Sequence, residues 1–259
     1  MLFRVLRDTY NFFDRRWFVV VVAAVLSVGM AAILSLVVRI IISLPPITIN
    51  SASSTAINNA TGSTFKLSYN DIIEAILIFI GSVWFRGFIA ALVHAELRSP
   101  LLKIADILKR SIVLYPQVFL VNTVVVYIGV ILALPAMLLG NIGVLFSLPA
   151  LIFYIWFSLV SPVVVMDDMR GVIKVLTRSR MLVTGYFWQV LLVHAIAVAP
   201  VFAIVGIQDD TVYFWPVLIF INIVTAILGS LLITFTYINL RLVKGERLAG
   251  TVPMPGDTS

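Results

Sequence analysis

Hydrophobic residues along this chain occur in blocks of about twenty, and short polar stretches separate the blocks. A block of that length matches a helix that crosses a hydrocarbon core of roughly 30 Å. The pattern therefore predicts an all-α, polytopic membrane protein with six transmembrane helices in a bundle over residues 17–240. The predicted spans are, approximately, 17–44, 71–93, 117–139, 144–166, 187–207 and 212–238.

Three stretches outside the spans have an amphipathic, helical period: 1–16, about 98–114 and about 167–184. A helix with a basic face and an apolar face lies in the membrane interface, so we predict three cytoplasmic surface helices. Asp167 or Asp168 is predicted to cap the start of the third. For 1–16 the alternative is an irregular tail. Its predicted apolar face consists of Leu2, Phe3, Leu6, Tyr10 and Phe13.

The segments 96–122 and 167–194 resemble each other, because each has a basic amphipathic helix, a turn and an apolar helix in that order. The turns differ, with Tyr115-Pro116 in the first segment and Thr184-Gly185 in the second. We interpret the two segments as a weak internal repeat. Its aligned pairs are Ser111 with Ser179, Leu114 with Leu182, and Phe119 with Phe187.

Lysine and arginine set the orientation of such a protein, because they accumulate on the cytoplasmic side. Sixteen of the 18 basic residues fall on one side of the predicted spans, and only Arg39 and Lys66 fall on the other. We therefore predict a multi-pass protein of the cell membrane with both termini in the cytoplasm. The polar stretch 45–70 is predicted to be an outer loop, and 241–259 a basic, disordered tail.

Composition narrows the classes of function. The 259 residues are 61% hydrophobic and 12% charged, with a mean hydropathy of +1.11, whereas soluble domains carry about 25% charged residues. Cysteine is absent, which excludes a thiol nucleophile and a thiolate metal site. The net charge is +6, and the basic residues flank the predicted spans. The charge therefore indicates anionic membrane lipid as a partner and not nucleic acid. The first apolar run is too long for a cleavable signal peptide.

Small residues recur four apart on three of the predicted spans. Helices in lipid associate by close packing, which favours such stripes. We interpret them as packing seams, with a pore lining as the alternative. The helix-packing candidates are Ala23, Ser27, Ala31, Ser35, Ala195, Ala199, Ala203, Ala226 and Ser230.

Polar residues within the spans are costly and suggest function by default. The intramembrane candidates are Arg86, Gln189, His194 and Asn222. His194 with Asn222 is the sharpest pair, either as a buried polar site or as a hydrogen bond that fixes helix register. His94 is far from His194 in sequence, and no carboxylates stand at metal-ligand spacing, so neither a metal nor another cofactor is predicted.

Basic residues line the polar faces of the three surface helices. A cytoplasmic leaflet rich in anionic lipid attracts each such residue by about 1 kcal/mol. They are predicted to face lipid or a membrane-protein partner, which includes a second copy of the chain; the alternative is that they only enforce topology. These residues are Arg4, Arg7, Lys103, Arg110, Arg170, Lys174 and Arg178.

Two stretches resemble a known family. The first runs from Val163 to Val193 and has an acidic residue, a basic helix with Leu176 to Ser179, and then LVTGYFWQVL; the second is Tyr237-Ile238-Asn239-Leu240-Arg241. Together they resemble the glycerophosphoryl diester phosphodiesterase membrane-domain family. The resemblance implies a six-span bundle with amphipathic cytoplasmic helices between spans two and three and between spans four and five. It supplies no catalytic residues, and this chain has no room for the soluble phosphodiesterase domain that some members carry.

The sequence thus favours a protein without enzymatic activity that scaffolds a membrane assembly, or organises anionic lipid, through its basic amphipathic helices. The alternative is a transporter-like permease for a small solute or lipid, which the weak repeat and His194 with Asn222 would support. Both repeat units point the same way across the membrane, and parallel repeats occur in some transporters.

Overall fold

A computed structural model describes residues 1–41, 69–98, 103–138, 140–202 and 214–246, with side chains for 1–29, 75–98, 103–135, 147–202, 217 and 220–246. These residues form helices joined by turns. The helices are α1 (Leu2–Ile41), α2 (Tyr69–Arg98), α3 (Ile104–Leu138), α4 (Gly140–Phe157), α5 (Val160–Met166), α6 (Val172–Val183), α7 (Phe187–Phe202) and α8 (Phe214–Val243). The predicted outer loop and all of the predicted tail after Glu246 lie outside the described residues, apart from Tyr69 and Asn70.

Four segments of the described helices are long and apolar enough to cross a membrane: Ala75–Arg98, Ile104–Pro135, Ser147–Met166 and Phe220–Val243. The pair α6 and α7 would make a fifth if the two bent helices were counted as one span. The prediction of a helical protein with several membrane-crossing helices is therefore confirmed. The predicted first span, 17–44, reaches beyond the side chains that the structure describes.

Helix α1 runs without a break from Leu2 to Ile41, whereas the sequence analysis separates a surface helix at 1–16 from the first span. Its buried face is also different from the predicted one. Val5 and Phe12 are buried, while Phe3 and Tyr10 are 87% and 69% exposed. The reason is tertiary: the start of α1 packs on α8, and the rings of Phe12 and Phe235 meet edge to face at 5.7 Å.

An ion pair ties α1 to α2 at the same end of the bundle. Arg16 donates from Nε and Nη2 to Glu96 Oε2 at 3.0 and 2.5 Å, and Arg15 lies 3.8 Å from Glu96 Oε1. The first 16 residues are therefore part of the helical bundle and are held by neighbouring helices on two sides.

The surface helix predicted at about 98–114 and the third predicted span also form one helix, α3, which continues through Pro116. Proline removes one backbone donor and usually bends or ends a helix. Here the neighbouring packing keeps the helix continuous: Val118 lies against Gly87 of α2, where a Cβ would stand 3.7 Å from its methyl group, and Tyr115 donates to Ile80 O at 3.3 Å.

Proline has the opposite outcome between α4 and α5. Pro162 cannot donate to the carbonyl of Ser158, and its ring crowds that carbonyl. The helix is interrupted at Ser158 and Leu159, and it resumes at Val160. At the interruption, Ile155 O accepts from both the backbone N–H and the hydroxyl of Ser158, at 3.4 and 3.0 Å.

The surface helix predicted at about 167–184 corresponds to α6, but it starts later than predicted. Its N-cap is Gly171 with φ +94°, and no side chain caps it. Asp167 instead follows α5 as its C-cap. Helix α6 buries Val175, Ser179 and Leu182 and meets α7 at a bend of 100°.

Small residues of the predicted stripes are buried or half-buried on α1 and α8 and exposed on α7. Ala23, Ser27 and Ser230 are buried, Ala226 is half-buried, and the Ser27 hydroxyl donates to Gly81 O at 2.8 Å. The side chains of Ala31, Ser35 and Ala203 lie outside the described set.

On α7, Ala195 and Ala199 are exposed. The buried face contains Val190, Val193, His194 and Ala197. The glycine of this seam lies on the partner helix α8. A Cβ added at Gly229 would stand 4.0 Å from Ala197 Cβ. The seam therefore pairs Gly229 of α8 with the buried face of α7. The periodicity of a single helix does not reveal such a pairing.

Candidate functional site

Five polar side chains meet at the end of the bundle where the basic residues gather. We call Asp167, Arg178, Tyr237, Arg241 and Glu246 the ion-pair cluster. Asp167 ends α5, with its N–H donating to Val163 O. Arg178 projects from the middle of α6. Tyr237 and Arg241 lie one turn apart near the end of α8, so the cluster joins three helices.

Asp167 is the centre of the ion-pair cluster. Its Oδ1 accepts from Tyr237 Oη and from Arg241 Nη1, both at 2.5 Å. Its Oδ2 accepts from Arg178 Nε at 3.4 Å. Arg178 also binds Glu246, with Nη1 at 2.8 Å from Oε1 and Nη2 bonded to Oε2. Both carboxylates thus bridge α6 to the end of α8.

Glu246 reaches Arg178 because of the way α8 ends. Gly245 has φ +73°, its N–H donates to Leu242 O at 3.0 Å, and the N–H of Glu246 donates to Arg241 O at 2.9 Å. This pair of bonds is a Schellman motif, which requires a left-handed residue that glycine adopts without penalty. The motif reverses the chain and points Glu246 back toward α6.

Most of the ion-pair cluster is shielded from solvent. Tyr237 is completely buried, and the side chains of Asp167 and Arg241 are 10% and 12% exposed. A buried charge is tolerated only when partners satisfy it, and each of these charges has them. The Arg178 hydrogen bond and positive charge hold the pKa of Glu246 below its ordinary value of 4.5, so this carboxylate stays ionised.

A second set of contacts fixes the last turn of α8 against the end of α6. Lys244 Nζ donates to Met181 O and to Thr184 O at 3.2 Å. These are carbonyls at the C-terminal end of α6, where a cation also suits the helix dipole. Nearby, Arg180 lies over the Trp156 ring of α4 at 4.8 Å. Helix α6 is therefore held on both flanks.

An open cleft of about 750 Å³ lies beside the ion-pair cluster. Five of its lining residues are basic and three are acidic, so it carries a net positive charge. One wall comes from the first turns of α3 and another from the connection between α5 and α6. The lining residues are Arg98, Asp106, Lys109, Arg110, Val113, Leu114, Met166, Asp167, Asp168, Arg170 and Arg241.

The cations of the cleft differ in how they are held. Arg110 is half-buried, and its Nη2 donates to Val165 O at 3.1 Å. Lys109 and Arg170 are exposed. Asp168 adopts φ +47°, which is uncommon for a residue other than glycine and most tolerated by Asn and Asp. This backbone turn places Asp167 in the ion-pair cluster and Asp168 in the cleft.

His94 lies beneath this region on α2. Its ring is buried, at 4% exposure, and its Nε2 has no hydrogen-bond partner among the described residues. The charges that act on it, Arg110, Arg98, Arg241 and Asp168, are all lining residues of the cleft.

The structure separates the predicted basic residues into three groups. Arg4, Arg7, Lys103, Arg170 and Lys174 are exposed, and Arg7 lies 3.7 Å from Asp8. Arg110 lines the cleft. Arg178, which the sequence groups with Arg170 and Lys174, is turned inward because Asp167 and Glu246 bind it.

The predicted intramembrane residues do not form one site. His194 is buried, with Nδ1 2.8 Å from Val190 O of its own helix and its ring edge to face with Tyr154 at 5.6 Å. Its Nε2 has no hydrogen-bond partner among the described residues, so the expected bond to Asn222 is not formed. Asn222 and Gln189 are exposed. Arg86 is half-buried and close enough to His194 to act on its ring.

Asp167, Tyr237, Arg241 and Glu246 were not among the predicted site residues. A signal for three of them exists in the sequence: Asp167 lies in one of the two stretches from which a family resemblance is expected, and Tyr237 and Arg241 lie in the other. The structure brings these stretches into contact through Asp167. Seventy residues separate Asp167 from Tyr237, so no local pattern could connect them.

Within the described ranges, no group of three or more His, Asp or Glu side chains could hold a metal ion. The chain matches no model of a known protein family, no curated protein and no solved structure.

Proposed function

We propose that this chain is a non-enzymatic, multi-pass membrane protein that organises anionic lipid, and membrane assemblies that depend on it, through its basic end. The proposal includes six spans, cytoplasmic termini and the membrane-domain family that the two stretches resemble. The observation that carries it is the gathering of a net-positive cleft and exposed cations at one end of an apolar bundle.

Physical reasoning favours lipid as the partner. Anionic headgroups attract cations close to the membrane surface by about 1 kcal/mol each, and Lys103, Lys109, Arg170 and Lys174 are exposed. Arg178 and Arg241 cannot contribute in the same way, because their charges are used within the ion-pair cluster. That cluster instead fixes α6, which carries Lys174 and directly follows the connection that carries Arg170.

The proposal is tested by purifying the full chain in mild detergent and identifying the lipids and proteins that remain bound. The quadruple variant Lys103→Gln, Lys109→Gln, Arg170→Gln and Lys174→Gln should lose most of the anionic lipid. A control with the charge-retaining changes Lys103→Arg, Lys109→Arg, Arg170→Lys and Lys174→Arg should keep the anionic lipid. An unchanged lipid content in the first variant would refute the role of this end.

The proposed orientation has its own test, because the chain lacks cysteine. A single cysteine at Ser54 should react with an impermeant thiol reagent added to intact cells. A cysteine at Lys174 should react only after the cells are opened. The reverse labelling would place the basic end outside the cell and remove the basis for contact with the cytoplasmic leaflet.

The transporter alternative gains no specific observation. Its sharpest residues, His194 and Asn222, do not bond to each other, and His194 packs against Tyr154. We therefore propose the lipid-organising role alone.

A further inference from the structure

We propose that the cleft beside the ion-pair cluster is a site for one anionic glycerophospholipid, with the phosphate among its cations and an acyl chain along its apolar wall. This inference rests on the proposed function and deepens it, because a defined site binds one lipid per chain, whereas a diffuse basic surface does not.

The cations provide the phosphate subsite. Arg110 is fixed by the bond from Nη2 to Val165 O, which leaves its Nε and Nη1 to donate to a ligand, since a guanidinium has five N–H groups. Lys109 is its neighbour on α3, and Arg170 stands on the facing wall. An arginine held in place beside exposed cations is a favourable arrangement for a phosphate, because phosphates accept several charge-assisted hydrogen bonds at once.

The carboxylates of the cleft are not equivalent. Asp167 is offset by Arg178 and Arg241, so its charge does not oppose an anion strongly. Asp106 and Asp168 remain at the exposed rim, where they can accept hydrogen bonds from the hydroxyl groups of a glycerol headgroup. The strained φ of Asp168 agrees with this assignment, because backbone outliers concentrate at functional sites.

The apolar wall distinguishes a lipid from a soluble phosphate. Lys109 and Arg110 are followed one turn later by Val113 and Leu114, which line the same cleft. One turn advances about 6 Å along a helix, so the lining passes from charged to apolar over the distance that separates a phosphate from the start of its acyl chains. Val113 is 65% exposed and its neighbour Ile112 is 57% exposed, which extends the apolar surface away from the cations.

The site is tested by titrating the full chain in detergent with phosphatidylglycerol, phosphatidylethanolamine and phosphatidylcholine and counting bound lipids by native mass spectrometry. One phosphatidylglycerol should bind more tightly than the rest. The double variant Lys109→Gln with Arg170→Gln should weaken that binding by roughly 30-fold, because two surface cations at about 1 kcal/mol each amount to about 2 kcal/mol. The control Lys103→Gln with Lys174→Gln removes the same charge from exposed residues outside the cleft lining and should change the tight binding by less than about 2-fold.

A second pair of variants tests the acyl wall. Val113→Ser should weaken phosphatidylglycerol binding severalfold, whereas Val126→Ser, an exposed valine on the same helix outside the cleft lining, should not. Inorganic phosphate at millimolar concentration should fail to displace the lipid. Displacement by phosphate, or equal binding in the Val113 variant, would show that the cleft takes a free anion.

The remaining outcomes separate this inference from the proposed function. Equal losses in the two double variants would refute a defined site and leave a diffuse lipid-organising surface. Equal affinity of the parent chain for all three lipids would refute both. All four substituted cations are exposed, so loss of folding is not the expected cause, and matching thermal unfolding of the variants checks this.

Discussion

The two repeat units, 96–122 and 167–194, share a pattern of burial and differ in shape. The aligned serines, Ser111 and Ser179, are both buried, and so are Leu114 and Leu182. From Ile104 onward the first unit nevertheless continues as a single helix, α3, while the second bends by 100° between α6 and α7. Similar side-chain patterns therefore occur in two shapes. In the first unit the basic helix runs straight on into the apolar helix, and in the second unit the basic helix α6 is bent away from the apolar helix α7.

The turn residues account for this difference. Thr184 leaves the helical region with ψ 125°, and Gly185 has φ +90°, a conformation that side chains with a Cβ disfavour. In the first unit, Pro116 only removes a hydrogen bond, and its own φ suits a helix. A proline inside a long apolar helix is thus weaker evidence of a chain reversal than a glycine in the left-handed region.

The unit with the bend is the one that needs external ties. Arg110 and Arg178 occupy aligned positions, but Arg110 makes one bond to a backbone carbonyl, whereas Arg178 bridges two carboxylates. The straight unit keeps its shape because it is part of one continuous helix, α3. The bent unit is held by the ion-pair cluster, and the following predictions test this division.

The largest effect is expected from Asp167→Asn. It removes the charge that two arginines share in a shielded position, and breaking such a pair costs about 3 kcal/mol or more. Thermal unfolding in detergent should show this loss, and protease should cut near α6 sooner. The control Asp168→Asn removes the same charge from an exposed neighbour and keeps a residue type that tolerates its φ of +47°. Equal losses in both variants would contradict the role of the cluster.

A smaller effect is expected from Gly185→Ala. A side chain at φ +90° is strained by about 1–2 kcal/mol, although no atom within 4 Å would clash with the new Cβ. Gly129→Ala is the matched change in the straight unit's helix, where space is also open and alanine favours the helix. Chemical or thermal unfolding should therefore show opposite signs for the two variants, and equal signs would contradict the glycine argument.

A still smaller effect is expected from Pro116→Ala, which restores a donor without changing the course of α3. Spin labels at Lys103 and Tyr127, both exposed, should be about 36 Å apart in the parent chain and in the variant, as in a continuous helix with 1.5 Å rise per residue. A distance much shorter than this would show that the first unit also bends.

The smallest effect concerns acid. The folded pKa of Glu246 is depressed, so its contact with Arg178 contributes stability above the ordinary carboxylate pKa and loses it as pH falls through the folded value. Glu246→Gln should therefore lower the thermal stability at neutral pH, and the difference from the parent should shrink below pH 4.5. A difference that does not change with pH would show that the carboxylate charge is not involved.

The helical class and the charged end of this protein follow from periodicity and from the positions of lysine and arginine. The buried positions of Ser111 and Ser179 also agree with the alignment of the two units. Sequence reasoning failed where contact with a neighbouring helix determines which face of a helix is buried. The buried face of α1 depends on Phe235 of α8, and the seam of α7 depends on Gly229.

The site was less predictable than the fold. Lys103, Arg110, Arg170 and Lys174 were identified from charge alone, and two of them line the cleft. Arg178 shows the limit of that reasoning, since its spacing matches the exposed cations but Glu246 binds it from 68 residues away. Asp167 likewise binds Arg241 from 74 residues away, and the periodicity of one segment does not contain such distant pairs.

The uninterrupted helix α1 has a mechanical consequence. Its 40 residues extend about 60 Å, so the apolar part and the charged start form one rod without a joint. A tilt of 10° in the apolar part would move Leu2, about 22 Å beyond Arg16, by about 4 Å sideways. Because Phe12 holds the rod to α8 and Arg16 holds it to α2, such a displacement would be transmitted to α2 and, through α8, to Tyr237 and Arg241 of the ion-pair cluster. Changes in bilayer thickness would then act on the cluster through a lever arm.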